Sequence, residues 1–308
     1  MQDIFNERRM LLRAMLAASG MAMCGPLLAA PGPLLTRPVP SSGEALPVVG
    51  LGSWITFNVG EDPAARARGT EVVGAFFEAG GRLIDSSPMY GSAQATIGHA
   101  LAQLKQPKAL FSADKVWIGA GARGPAQIEA SRGFWGVPRF DLLQVHNLLA
   151  WEEHLRTLQG LKAAGRLRYV GITTSEGRRH GELVKIMETQ PLDFVQISYN
   201  VLDREVEERI LPLARERRIA VIVNRPFRQG DLTEALAGKP LPGWAAEIGC
   251  TSWAQALLKF IVSHPAVTCA IPATSNPAHA RENMLAARGP LPDQALRQRI
   301  ASDVKRLT

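Results

Sequence analysis

Residues 142–146 read Leu-Leu-Gln-Val-His, residues 169–173 Tyr-Val-Gly-Ile-Thr, residues 194–198 Phe-Val-Gln-Ile-Ser, and residues 220–224 Ala-Val-Ile-Val-Asn. Each is a short apolar run suited to a strand covered on both faces, and each ends on a polar residue. Between them lie amphipathic segments at 151–163, 178–188 and 205–217, whose apolar spacing suits helices. The same alternation extends in both directions. Upstream, strand runs at 48–52, 83–86 and 109–116 separate helix candidates at 70–79, 93–104 and 125–134. Downstream, a strand at 268–272 lies between helix candidates at 251–263 and 277–287. Gly165 and the pair Gly80-Gly81 follow helix candidates where a C-terminal glycine belongs. Eight strands alternating with eight helices predict an α/β fold, a single-domain (β/α)8 barrel of the TIM type over 46–290, with a helical tail at 291–308.

Composition is consistent with one packed barrel and excludes several other classes. At 308 residues and 46% hydrophobic the chain carries ample core material and far too much for a disordered one. Its 28 glycines show no three-residue period, and three cysteines are too few for a disulfide scaffold. The formal charge of +7 invites a nucleic-acid reading. The basic residues, however, are scattered over helix candidates without interleaved aromatics or a nucleic-acid motif, so they read as solvated faces.

The first thirty residues read as an address rather than as fold. Arg8, Arg9 and Arg13 precede an uncharged stretch from Ala14 to Ala30, rich in Ala, Met and Leu. A basic region, a modestly apolar segment and small residues before Pro31 form a signal-peptide pattern. The Arg8-Arg9 pair and its surroundings resemble the twin-arginine export motif, which implies passage of the folded protein through that machinery to the periplasm. Without that reading, the location is cytoplasmic. A membrane anchor is the competing interpretation, but Ser19, Gly20, Gly25 and Pro26 break a segment already short of the roughly 20 residues a span needs. Met23 fits a lipoprotein cleavage site before Cys24 poorly. The Pro- and Ser-containing stretch 31–45 reads as a linker. Cys250 and Cys269 could pair in an oxidising compartment, although the apolar surroundings of Cys269 favour a buried thiol.

In a barrel of this type the site lies at the C-terminal ends of the strands. The residues there are Asp85, Lys115, His146, Thr173, Gln196 and Asn224, with Tyr90 just beyond the second strand. The segment Ile84-Asp85-Ser86-Ser87-Pro88-Met89-Tyr90-Gly91, Lys115 within Ala113-Asp114-Lys115-Val116, and His146 closing Asp141-Leu142-Leu143-Gln144-Val145-His146 together resemble the aldo/keto reductase signature. The similarity runs from about Pro47 to Asn283. It implies an NAD(P)-dependent reduction of an aldehyde or ketone to an alcohol, with Asp85, Tyr90, Lys115 and His146 as the catalytic set. An unperturbed phenol, with a pKa of about 10, is a weak acid at neutral pH. A neighbouring Lys115 ammonium would lower it, Asp85 would hold Lys115, and His146 would orient the carbonyl. Taken singly, each residue has a plainer reading: a strand-end ion pair, a core histidine, a loop aromatic.

The same resemblance implies the cofactor contacts, which form without a Rossmann domain. Gln196 matches the residue that holds the carboxamide, while Gly52 and Ser53 close the first strand beside it. Thr173-Thr174 stand where a Ser-Asn pair is usual, and Asn224 stands where an aromatic normally stacks on the nicotinamide. Arg225 and Phe227 follow, with Arg225 a candidate for the pyrophosphate. In 271–283 the motif for the adenosine phosphate keeps Thr274, Glu282 and Asn283 but has Ala273 for its lysine and His279 for its arginine. Arg281 could substitute. NAD and NADP therefore both remain open.

Gly119-Ala120-Gly121-Ala122-Arg123-Gly124 satisfies the dinucleotide G-x-G-x-x-G pattern. In a chain this rich in glycine, a flexible loop over the barrel mouth is the better reading. Trp54, Trp117 and Trp151 follow strands and could wall an apolar substrate pocket. No His/Cys cluster has metal-ligand spacing, so no metal is expected. The partners expected are thus a small carbonyl substrate and the export machinery, without nucleic acid or a stable membrane anchor. The altered Thr174, Asn224 and Ala273 keep a second function class in view, a cofactor-binding regulatory or catalytically degenerate barrel.

Overall fold

The computed structural model describes residues 32–308; the signal-like segment 1–30 lies outside the described residues. Residues 33–308 form one unit. It opens with an antiparallel hairpin, β1 (Thr36–Pro38) and β2 (Ala45–Pro47). Eight parallel strands then follow in sequence order: β3 (Leu51–Gly52), β4 (Leu83–Asp85), β5 (Phe111–Val116), β6 (Leu142–Val145), β7 (Tyr169–Thr173), β8 (Phe194–Ser198), β9 (Ala220–Asn224) and β10 (Cys269–Ala270). The two ends of the sheet meet. Bridges Val49↔Ala270 and Gly52↔Ala273 join first strand to last, and the Gly52 N–H donates to the Pro272 carbonyl at 3.0 Å. A Cβ at Gly52 would lie 2.7 Å from the Ile271 carbonyl oxygen, so this seam requires a glycine.

Strand alternation sorts the side chains into an inner and an outer set. Leu83, Phe111, Leu142, Tyr169, Phe194 and Ala220, each the first residue of its strand, pack together inside the barrel floor. Ile84, Val116, Val145, Ile172, Ile197 and Val223 belong instead to the outer core, where they meet the apolar faces of the surrounding helices. Principal helices are α1 (Pro63–Glu78), α2 (Ala93–Gln103), α3 (Gly124–Trp135), α4 (Trp151–Ala163), α5 (His180–Thr189), α6 (Ile210–Glu216), α7 (Asp231–Ala235), α8 (Trp244–Glu247), α9 (Trp253–Val262), α10 (Pro277–Leu285) and α11 (Gln294–Leu307). The polar residues of the inner set gather at its upper end, where Lys115, Gln144, Thr173, Gln196 and Asn224 lie.

Three expectations change here. The stretch 31–45 is not merely a linker: Val39 within it and Leu46 just after it are fully buried against the floor layer. Prolines and Ser-Ser-Gly, which read as tether, supply a tight hairpin turn with Gly43 at φ 78°. Helix α1 begins at Pro63 rather than near 70 because Asp62 caps it, its carboxylate accepting from the Ala64 and Ala65 N–H groups at 2.8 and 3.1 Å. The helix expected at 205–217 is a single turn at Glu205–Glu207 followed by α6. Gly80 and Gly165 take positive φ of 93° and 70° just beyond α1 and α4, as their positions in sequence suggest.

Candidate active site

A cavity of 790 Å3 opens at the C-terminal ends of the strands, within the size range of small-molecule sites. Asp85, Tyr90 and His146 line it, and so do Gly52, Ser53, Thr173, Gln196 and Asn224. Lys115 lies behind this surface, 1% exposed. Its ammonium meets Asp85 Oδ2 at 2.5 Å and donates to the Ser86 carbonyl at 2.8 Å. It also stands 5.1 Å from the centroid of the Tyr90 ring. Tyr90, in a single helical turn at Pro88–Tyr90, meets the His146 ring edge-on with centroids 5.7 Å apart. Ser87 Oγ lies 2.7 Å from His146 Nδ1.

Asp85 is held from three further directions. Gln196 Nε2 donates to its Oδ1 at 2.9 Å and Gln144 Nε2 at 3.2 Å, while Ser53 Oγ donates to its backbone carbonyl at 2.9 Å. Asn224 Nδ2 donates to the Thr174 carbonyl at 3.1 Å, and Ser198 Oγ donates to Asn224 Oδ1 at 2.6 Å. The amide standing in the aromatic's place is therefore tied into a polar chain rather than loose. Asp114, next to Lys115, faces the opposite side of β5, where Gln94 Nε2 donates to it at 2.8 Å.

Burial governs the ionisation of this group. It opposes the charge on Lys115, yet the adjacent Asp85 carboxylate and Tyr90 outweigh it and hold the ammonium above its ordinary range. His146 is pushed down to about 2 by burial, reinforced by Lys115, so its imidazole is neutral. The Lys115 charge pulls the Tyr90 phenol down, as the resemblance implies, but burial is the larger effect and the net direction is upward. Tyr90 is thus a protonated phenol at neutral pH, a donor beside a fixed cation.

Along the rest of the cavity stand Arg225, Phe227, Thr274, Glu282 and Asn283. Arg225 pairs with Glu176 at 2.5 Å, and Arg178 pairs with the same carboxylate at 2.7 Å. Several expectations drawn from the sequence are corrected. Arg281 is outside the cavity, in an exposed pair with Glu78 of α1 at 2.9 Å, because its helical position turns it toward that neighbour. Thr174 does not line the cavity either; alternation places Thr173 inward, and the Thr174 N–H extends the ladder to the Gln196 carbonyl at 3.0 Å. Of the tryptophans, Trp54 lines the cavity and Trp117 lies beside His146, ring centroids 6.5 Å apart, whereas Trp151 packs against the outer core. The loop 119–124 is not a cover over the mouth: none of it lines the cavity. Its glycines admit α4, since a Cβ at Gly121 would lie 1.7 Å from Glu153 Oε2 and one at Gly124 2.8 Å from His154 Nδ1.

The donor set suits a nicotinamide dinucleotide. Neutral amides from Gln196 and Asn224 stand beside Tyr90 and His146, as a carboxamide requires, and Arg178 and Arg225 bring positive charge to the same cavity. The Glu282 carboxylate, half-buried in the wall, forms no hydrogen bond or ion pair among the described residues and is free to accept from a ligand. No group of three or more His, Cys, Asp or Glu side chains among the described residues is placed to hold a metal ion.

A family model described as the aldo/keto reductase family matches residues 48–301. The chain belongs to the aldo/keto reductase family. Methylglyoxal reductase YeaE of Escherichia coli is 29% identical over 244 residues, covering 78% of this chain and 84% of that protein. An NADH-specific methylglyoxal reductase of the same organism is 27% identical, over 64% and 68% respectively. Among solved structures, an aldo/keto reductase from Klebsiella pneumoniae in complex with NADP and acetate superimposes with a TM-score of 0.69 at 23% identity, covering 86% of this chain and 92% of that one. The glycerol dehydrogenase of Gluconobacter oxydans gives 0.73 at 21% identity, over 87% and 94%; both structural likenesses concern the fold. As a family member, this reductase is an NAD(P)H-dependent carbonyl oxidoreductase.

Sequence reasoning missed Ser87, Gln144 and Glu176. Alternation along 142, 144 and 146 was the available signal for Gln144, which must share the inward face with His146. Ser87 and Glu176 lie in loops, where no periodicity marks them.

Proposed function

We propose that this reductase converts a small aldehyde or ketone to its alcohol with Tyr90 as the proton donor. A bound reduced nicotinamide dinucleotide supplies the hydride. Gln196, Asn224, Thr173, Gly52 and Ser53 would hold its reactive end, with Arg225, Phe227, Thr274, Glu282 and Asn283 along the remainder. His146 donates a hydrogen bond to the carbonyl oxygen and stabilises the charge that develops there. Tyr90 passes its proton to that oxygen, and the Lys115 ammonium stabilises the phenolate left behind. Asp85 keeps Lys115 charged and in place. In the oxidative direction the same groups act in reverse.

The observation that carries this reading is the Asp85–Lys115 contact at 2.5 Å directly beneath the Tyr90 ring. Trp54, Ile55 and Met89, all exposed in the cavity wall, favour a substrate with an apolar group beside its carbonyl. Methylglyoxal, named for two relatives, and benzaldehyde are suitable first substrates. With NADH and NADPH supplied separately, Tyr90→Phe is expected to lower kcat by about a hundredfold or more while dinucleotide affinity stays within a fewfold of wild type. A wild type that binds either dinucleotide tightly but reduces no carbonyl in a broad panel is instead the degenerate barrel.

We further infer export through the twin-arginine route, directed by Arg8, Arg9 and the uncharged stretch after them. That route carries folded proteins, which accommodates an enzyme that takes up its dinucleotide before leaving the cytoplasm. Cell fractionation with N-terminal sequencing tests it: a mature periplasmic chain beginning near Pro31 is expected, and an intact cytoplasmic Met1 refutes it.

A further inference from the structure

Ser87 is fully buried, and its hydroxyl has two neighbours. The Met89 N–H donates to Oγ at 3.1 Å, capping the turn that carries Tyr90. The other neighbour is His146 Nδ1 at 2.7 Å. Among the described residues no other acceptor lies within hydrogen-bond reach of this hydroxyl, and a buried hydroxyl proton without an acceptor is costly. The proton therefore goes to Nδ1, which must be the unprotonated nitrogen of a neutral ring. The ring's proton is then on Nε2, the nitrogen left to meet a ligand in the cavity that His146 lines.

We propose that Ser87 is the positioning residue that fixes His146 as its Nε2–H tautomer and so makes it a donor, rather than an acceptor, toward the carbonyl oxygen. The opposite tautomer would aim a lone pair at the developing alkoxide and repel it. The surrounding backbone holds the arrangement. Asn147 and Leu148 take φ of 53° and 56° immediately after His146, and the Asn147 N–H donates to Thr173 Oγ1 at 3.1 Å. Burial and the Lys115 charge keep the ring neutral, so its tautomer is the only freedom left for Ser87 to decide. The proposal rests on reading His146 as the group that meets the substrate oxygen.

The test is nitrogen NMR of the full chain with 15N-labelled histidine, the His146 signals being assigned by their loss in His146→Gln. Wild type is expected to show a protonated Nε2 and a bare Nδ1 at neutral pH. A proton on Nδ1 overturns the proposal without recourse to any variant. Ser87→Ala should mix the tautomers and lower kcat about tenfold to a hundredfold, by analogy with the loss on removing the orienting partner of a metal-ligating histidine. The carbonyl KM should change far less, and Ser87→Thr should restore both signals and rate. Because Ser87→Ala also removes the cap on the Tyr90 turn, Ser87→Asp separates the two roles. It retains the capping acceptor but presents an acceptor to Nδ1, so it should move the proton to Nδ1 and abolish most turnover. Unchanged tautomer and unchanged kcat in Ser87→Ala refute the assignment. Should wild type reduce no carbonyl at all, the functional reading fails, while the nitrogen spectrum still decides what Ser87 does.

Discussion

Replacing Asp114 by asparagine should change how the stability of this barrel depends on pH. Asp114 is fully buried between β5 and the helices outside it, accepting from Gln94 Nε2 and from the Lys115 N–H at 2.7 Å. Burial outweighs these bonds and raises its pKa from 3.8 to about 7. The folded state therefore holds a proton that the unfolded state releases over most of that interval. Its stabilising effect is complete below pH 3.8 and is lost as pH rises through about 7. The whole shift corresponds to about 4 kcal/mol, and the part falling between pH 5 and pH 7 to about 2 kcal/mol. Asparagine keeps the shape and cannot ionise; Gln94 need only turn its amide. Urea unfolding of wild type and Asp114→Asn at half-unit steps from pH 5 to pH 8 isolates the effect, since every other titrating group is common to both. The variant should gain about 2 kcal/mol on wild type across the lower two units. Parallel profiles within about 0.5 kcal/mol would refute the reasoning, because a fully desolvated carboxylate must show this slope.

Lys115→Met leaves the Asp85 carboxylate buried without its cation and should cost about 3–5 kcal/mol in urea unfolding. The double variant Asp85→Asn/Lys115→Met should recover most of that stability but none of the turnover, and a double variant no more stable than Lys115→Met would count against the pair. The His146 imidazole, with its pKa depressed to about 2, should show no titration by NMR from pH 8 down to pH 4. A protonation midpoint inside that window would contradict its burial. Trp54→Ala should reduce kcat/KM for benzaldehyde about tenfold, equivalent to losing about 1.4 kcal/mol of apolar contact, with a smaller effect on methylglyoxal; equal losses on both would remove Trp54 from the substrate wall.

The fold is most legible in the sequence where one physical demand acts alone. Residues 169–173, 194–198 and 220–224 are strands to the residue, and 151–163 is a helix to the residue. Their apolar patterns answer only to burial on two faces of a sheet or one face of a helix. The first and last barrel strands, expected at five residues each, have two. The closing seam is made of isolated bridges rather than a regular ladder, which no run of apolar residues reveals. Asp85, Tyr90, Lys115 and His146 are legible because each lies at or just beyond the C-terminal end of a strand, so topology gathers them. Arg281 and Trp151 depart from expectation because helix rotation, not sequence distance, decides whether a side chain faces the mouth or a neighbouring helix. The cation beside Tyr90 suggests a lowered pKa when taken alone, whereas burial exceeds that attraction. Val39 and Leu46 show the converse: two apolar residues in a turn-rich stretch carry a hairpin that no periodicity announces.

The seam between the first and last strands has a thermodynamic consequence. The cavity straddles it, with Gly52 and Ser53 on one side and Ile271, Ala273 and Thr274 on the other. A ligand lying there touches both margins of a joint closed by two isolated bridges, Val49↔Ala270 and Gly52↔Ala273. Its binding energy thus acts as a suture across that joint. Amide exchange at Gly50 and Gly52 should slow with the first dinucleotide added, before any change reaches the longer ladders of β8 and β9. Loading the dinucleotide and closing the barrel would then be a single event.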